Sequence, residues 1–186
     1  MAPRRKSEAA GVYQIKVSLK DSHPPIWRRI QVTGDTTLHQ LHHVLQVVMG
    51  WDDFHAHQFV IGDTRYGEPS PQGGLTSMDD ESSVTLSEIA PREKGRLLYE
   101  YDFGDCWRHE LVIEKILPRE EGTRYPVCLA GKGACPPEDC GGIYGYYELL
   151  EAVRDPKHKR HEELLDWLGD SFDPEEFDID AINRVL

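Results

Sequence analysis

The residues best suited to chemistry in this chain are concentrated between Tyr101 and Tyr146. All four cysteines, Cys106, Cys128, Cys135 and Cys140, fall there, with the runs Asp102-Phe103-Gly104-Asp105-Cys106-Trp107-Arg108-His109 and Cys135-Pro136-Pro137-Glu138-Asp139-Cys140-Gly141-Gly142. Thiolate and imidazole are the donors that zinc takes. Cys128, Cys135 and Cys140 with His109 would make a Cys₃His set, and zinc is the cofactor it would hold. Six and then four residues separate the three cysteines, whereas a structural zinc site usually carries a tighter pair. The same thiols therefore also read as small apolar side chains packed inside a stiff Gly/Pro loop.

A second chemistry runs through oxygen donors. Asp102 and Asp105 with Glu138 and Asp139 could hold Mg²⁺ or Mn²⁺ in a phosphoester hydrolase, provided the two segments meet in a cleft; otherwise they are surface carboxylates. His109 would be the base or a ligand, its ring oriented by Asp105 or Asp102. Strand alternation puts it on one face with Trp107, Leu111 and Ile113, where a buried imidazole bonded to a carbonyl or to Asp105 is the plainer reading. The catalytic candidates are thus His109, Asp105, Glu138 and Asp139. His39, His42 and His43, followed by His55 and His57, offer a third arrangement able to hold a transition metal. It lacks the glutamate of a zincin, and helix-cap and turn histidines would look the same. With no glycine-rich phosphate loop, nucleophile elbow or dinucleotide fingerprint, nothing points to an NTPase, serine hydrolase or dehydrogenase.

The elements that must position these groups are legible from pattern. Residues 12–19 and 26–32 alternate apolar with polar and predict an antiparallel hairpin. Thr37 and Gln40 have the form of a capping box, and Leu38, Leu41, Leu45 and Val48 stripe a helix that Gly50 ends. Residues 57–61, 96–101 and 107–117 predict further strands, and 67–83 a long surface loop. Helices follow over 146–153 and 159–168, the second presenting Leu164, Leu165, Trp167 and Leu168 to the sheet. Asp173-Pro174 opens a last helical turn. The fold class is α+β: a mixed β-sheet with a packed helix, β-grasp-like, plus a C-terminal helical appendage. Residues 1–11 read as a disordered basic arm and 12–186 as one domain, divided into a sheet-and-helix core (12–117), a Cys/Pro/Gly loop (118–145) and C-terminal helices (146–186).

The chain has 186 residues and a net charge of −12, enough for one domain with a real core. That charge opposes a nucleic-acid-binding surface, which needs clustered Lys and Arg. Residues 1–50 carry seven Lys/Arg against three Asp/Glu, so a basic face of Arg4, Arg5, Lys6, Arg28 and Arg29 is the place such binding would use. No window of about 18 apolar residues predicts a membrane span, and the expectation is a cytoplasmic protein with reduced thiols.

Several motifs in order resemble the plasmid pRiA ORF-3-like family: Pro25-Ile26-Trp27-Arg28-Arg29, Leu38-His39-Gln40-Leu41 running to Gly50-Trp51, His55-Ala56-His57-Gln58-Phe59, the run from Tyr101 to His109, Pro136 to Gly142, and Gly145-Tyr146. The resemblance covers the chain from about Val12 onward. It implies an α+β fold with a central sheet and links to plasmids and mobile elements, some relatives being labelled resolvase-like or transposon-passenger proteins.

Three functions follow. The first is a non-enzymatic protein-interaction module presenting Trp107, Pro136, Pro137, Tyr144 and Tyr146 to a protein partner. The second is a metal-dependent phosphoester hydrolase centred on His109, Asp105, Glu138 and Asp139. The third is a DNA-associated, resolvase-like accessory protein.

Overall fold

A computed structural model describes residues 11–68, 78–169 and 172–186; the basic arm and the middle of the 67–83 loop lie outside them. Eight strands form one sheet: β1 (Val12–Leu19), β2 (Trp27–Thr33), β3 (His57–Ile61), β4 (Thr64–Gly67), β5 (Asp79–Asp80), β6 (Arg96–Tyr101), β7 (Trp107–Leu117) and β8 (Val127–Lys132). Their order is β5-β4-β3-β6-β7-β1-β2-β8. All neighbours are antiparallel except β4 and β5. The two longest strands, β1 and β7, lie side by side at the centre with Ile15 opposite Ile113.

One face of the sheet is apolar because alternate residues of every central strand are: Tyr13, Ile15, Val17, Ile30, Tyr99, Leu111 and Ile113 are all buried. Helix α1 (Leu38–Met49) covers that face with Leu38, Leu41, Leu45 and Val48. Its capping box forms as the spacing predicts, Thr37 Oγ1 accepting from Gln40 N–H and Gln40 Oε1 from Thr37 N–H. Gly50, at φ 77°, closes it in the left-handed conformation. A short helix α2 (Leu86–Ile89) follows, then α3 (Gly142–Arg154), α4 (His161–Leu168) and α5 (Ile179–Val185).

Three expectations are corrected. The 118–145 segment is not all loop: β8 lies in it and pairs with β2, its alternation broken by the register shift between Arg29 and Ile30. The turn at Asp173 forms, its carboxylate accepting from Glu175 N–H, but the last helix is α5, capped by Asp178, whose side chain accepts from Ala181 N–H. The tail docks through this end as well: Asn183 Oδ1 accepts from Cys128 N–H, Asn183 Nδ2 donates to Cys128 O, and Phe177 packs on Gly131. In α4 no residue is buried, and Trp167 is half exposed.

Candidate metal-binding site

His109 anchors the core and serves no surface site. It is 0% exposed, packed against Trp51 and Tyr99. Neither ring nitrogen has a partner of hydrogen-bonding geometry among the described residues, although the backbones of Tyr99 and Trp107 lie near. Burial pushes its pKa down to about 3, so the ring is neutral. Its expected partner Asp105 is engaged elsewhere, accepting from Gly141 N–H at 3.1 Å.

The Cys₃His set does not converge. Cys128 is a residue of β8 and is buried in the core. Cys135 sits between Met49 Sδ (3.5 Å) and an Arg28 Nη2 donor (3.1 Å). Cys140 faces the Gly142 carbonyl. Burial pushes the thiols of Cys135 and Cys140 up, to about 11 and about 12, which keeps them protonated. The groups of three donors that lie within 4.8 Å of one another, among the described residues, are His55/Asp102/Asp139 and His42/His43/Asp53, and neither contains a cysteine.

The interaction face is also corrected. Trp107 and Tyr146 are 1% and 3% exposed and Pro136 is buried, leaving Tyr144 as its one exposed member. Large apolar residues pack where they remove most surface from water. Of the basic face, Arg4, Arg5 and Lys6 lie outside the described residues, and the other two are engaged. Arg28 is buried, donating to the carbonyls of Val48, Trp27 and Lys132. Arg29 is bonded through two nitrogens to Glu114.

What the structure does bring together is the two acidic segments. The turn between β6 and β7 and the Pro136–Gly142 loop meet beside the loop that follows α1. Trp51 is the strut: its indole N–H donates to Pro136 O at 3.0 Å, and its ring stacks on Tyr101. Glu138 fastens the contact, accepting from the Tyr101 hydroxyl and from Asp52 N–H; burial, with Glu138 next to it, raises the Tyr101 pKa. Close approach demands glycine at two places. A Cβ on Gly145 would lie 1.9 Å from Cys140 O, and one on Gly142, at φ 67°, 2.5 Å from Asp105 O.

At this junction stand His55, Asp102 and Asp139. Asp102 adopts φ 56° and Asp139 φ 58°, a left-handed conformation that aspartate tolerates better than most residues. Asp102 Oδ1 accepts from Gly104 N–H (2.8 Å) and Asp105 N–H (3.2 Å). These bonds tether the carboxylate and turn Oδ2 towards His55 Nε2, 3.8 Å away. Asp139 Oδ1 lies 3.1 Å from the same nitrogen. Yet His55 Nε2, sealed from solvent, makes no hydrogen bond of acceptable angle to either carboxylate. Two carboxylate oxygens and a nitrogen within 4.8 Å of one another, with no hydrogen bond between nitrogen and carboxylate, form a donor set able to ligate an ion. Asp139 is 69% exposed on its side chain, so the outer side is open to water or substrate. A cavity of about 200 Å³ adjoins it, lined by Asp139, Cys140, Glu148, Arg160, Glu163 and Trp167.

Sequence reasoning named Asp102, Asp105, Glu138 and Asp139 but assigned His55 to a pair with His57. The strand begins only at His57, and the chain before it turns His55 away. Asp53, Glu81 and Trp51 were not identified as site residues. Their signals, acids just past a helix end and inside a polar loop, are those of any surface turn.

The chain matches the plasmid pRiA4b ORF-3-like protein family over residues 11–181 and belongs to it. Among its relatives, an uncharacterized protein of Sinorhizobium fredii, y4hQ, is 38% identical over 95% of this chain and 91% of its own. A crystal structure of a protein of unknown function from Methanosarcina mazei Go1 superposes with a TM-score of 0.84 at 41% identity, covering 95% of this chain and 98% of that one. Among the described residues no helix is long and apolar enough to cross a membrane.

Proposed function

We propose that the protein is a divalent-cation-dependent phosphoester hydrolase whose ion is held by His55, Asp102 and Asp139. The observation that carries this reading is the enclosed His55 Nε2, without a hydrogen bond between two carboxylate oxygens. One imidazole and two carboxylates favour a hard cation such as Mn²⁺ or Mg²⁺. His55, Asp102 and Asp139 would hold the ion, which would supply charge neutralisation for a phosphate and a lowered pKa for water; in the hydrolysis the water oxygen would bond to phosphorus, the ester P–O bond would break, and the proton lost by the water would balance the one gained by the leaving alkoxide. The adjoining cavity carries Asp139, Glu148 and Glu163 against Arg160, so an anionic substrate would enter only with the cation bound. His109 and Asp105 drop out of the catalytic role; Asp105 and Glu138 position the loop.

The test is Mn²⁺ titration of metal-free protein, followed by hydrolysis of bis(p-nitrophenyl) phosphate. One bound Mn²⁺ with turnover, both lost in His55→Ala, supports the reading; absence of Mn²⁺ binding defeats it. A protein-interaction module is favoured instead by Phe54 and Phe103 on the loops that make the site and Tyr144 in the first turn of α3, exposed at 77%, 47% and 86%. Mn²⁺ binding without turnover, with a partner released by Tyr144→Ala, would support that second reading.

A further inference from the structure

On the other side of the loop that carries His55, four imidazoles and two carboxylates from separate elements meet. Helix α1 contributes His39, His42 and His43, the loop after it Asp53, β3 His57, and the turn before α2 Glu81. Glu81 is 1% exposed and bonded to His57 Nε2 at 2.8 Å and His39 Nδ1 at 3.0 Å. A hydrogen on His39 Nδ1 leaves its Nε2 lone pair facing His43 Nε2, 3.2 Å away. His43 Nε2 must then supply the hydrogen of that contact. The Nδ1 of a neutral His43 is left bare towards Asp53 Oδ2 at 3.6 Å, while Asp53 Oδ1 lies 2.7 Å from His42 Nε2. A carboxylate facing a bare imidazole nitrogen is a pair short of one cation.

We infer that His42, His43 and Asp53 bind one transition-metal ion of the zinc, cobalt or nickel class. Their donor atoms lie within 4.8 Å of one another. Donors held about 2.0–2.1 Å from a tetrahedral ion are about 3.3 Å apart; His42 Nε2 lies 2.7 Å from Asp53 Oδ1 and His43 Nδ1 3.6 Å from Asp53 Oδ2, one on each side of that spacing and each on its own carboxylate oxygen. Two imidazoles with one carboxylate suit zinc, nickel or iron better than the hard cations. The supports resemble the outer shell of a metal centre. His42 Nδ1 faces the Tyr99 hydroxyl at 2.8 Å, where it can keep its hydrogen while Nε2 ligates. Gln46 holds both sides, donating to Tyr99 and accepting from Asp53 N–H. His57 stacks on His42 with ring centres 3.5 Å apart. His43 and Asp53 are exposed on their outer sides, so water can complete the coordination.

The experiment is titration of the metal-free, full chain carrying His55→Ala, which removes the neighbouring site, with Co²⁺, followed by competition with Zn²⁺. One equivalent of Co²⁺ with the visible absorption of a nitrogen-ligated ion is expected in that background, displaced by Zn²⁺. Binding should weaken at least about 100-fold in His43→Ala and in Asp53→Asn. Both positions are exposed enough to substitute without unfolding, which thermal unfolding of the metal-free variants checks. No Co²⁺ binding, the result if a second proton on His43 fills the gap to Asp53, would overturn the inference. So would Co²⁺ binding that survives both substitutions. Since His55→Ala removes only the neighbouring site, failure here and failure of the hydrolase reading are separable.

Discussion

The two metal-capable groupings share one loop, with Asp53 on one side and His55 two residues on, yet they are built in opposite ways. The His42/His43/Asp53 group hangs on a helix and is backed by buried Glu81, His57, Tyr99 and Gln46, so nearly every polar atom has an internal partner. The His55/Asp102/Asp139 group is made entirely of loop residues, and its imidazole contact to the carboxylates is unmade. Buried polar groups must be satisfied or they cost stability, whereas loop groups near solvent can be kept for a ligand. The first group should therefore matter to folding as well as binding, and the second almost only to binding.

The sharpest way to break this comparison is through their common wall. Trp51→Ala removes a buried ring and the Pro136 bond, and should cost about 3–5 kcal/mol in denaturant unfolding. It should also abolish ion binding at His55, since the acidic loop loses its strut; a loss below 1 kcal/mol would show that the loop is held otherwise. Glu81→Ala comes next. Burial alone would raise the Glu81 pKa, but the bonds of His57 and His39 and the nearness of His57 and His42 hold it below its ordinary value. Removing it strands two imidazoles, with an expected cost of about 3 kcal/mol and no change in Mn²⁺ affinity at His55.

Acid should separate core from rim further. Burial holds His109 near 3; burial, with His57 beside it, holds His42 near 4. Both folded values lie below the unfolded imidazole, so the unfolded chain binds more protons. Stability is whole above about pH 6.5 and falls as the pH drops towards 4. For His109 the loss between pH 6.5 and 4.5 should be about 2–3 kcal/mol, seen in urea midpoints across that range and flattened in His109→Leu. The smallest effect on folding belongs to Asp139→Asn, within about 0.5 kcal/mol by thermal unfolding, while Mn²⁺ binding by calorimetry disappears. A large stability change there would make Asp139 a structural residue and dissolve the contrast.

Most of the core was legible in the sequence. Alternation located β1, β3, β6 and β7, and the capping box located α1, because burial on one face imposes those periods directly. Strand β8 was hidden because the bulge opposite Ile30 spoils its alternation. Helix α5 was hidden because its seven residues are too few for a stripe. In the site, Asp102 and Asp139 were visible as acids in glycine-bounded turns. His55 was mistaken for a partner of His57 because two-residue spacing implies a shared face only inside a strand, and the strand starts at His57.

The chain by itself determined which surfaces must be buried and which residue types were free for chemistry, since hydrophobic period, caps and turn residues act over a few neighbours. It also sufficed for the family, through motifs kept in order. Which carboxylate meets which imidazole was decided only by the tertiary structure. The Trp51–Pro136 bond and the contacts of Gly141 and Gly142 with Asp105 join segments about 36 to 85 residues apart. The same packing took His109 and Cys128 into the interior and half-buried Cys135 and Cys140, because the gain from packing there exceeds what a neutral imidazole or thiol gains from water.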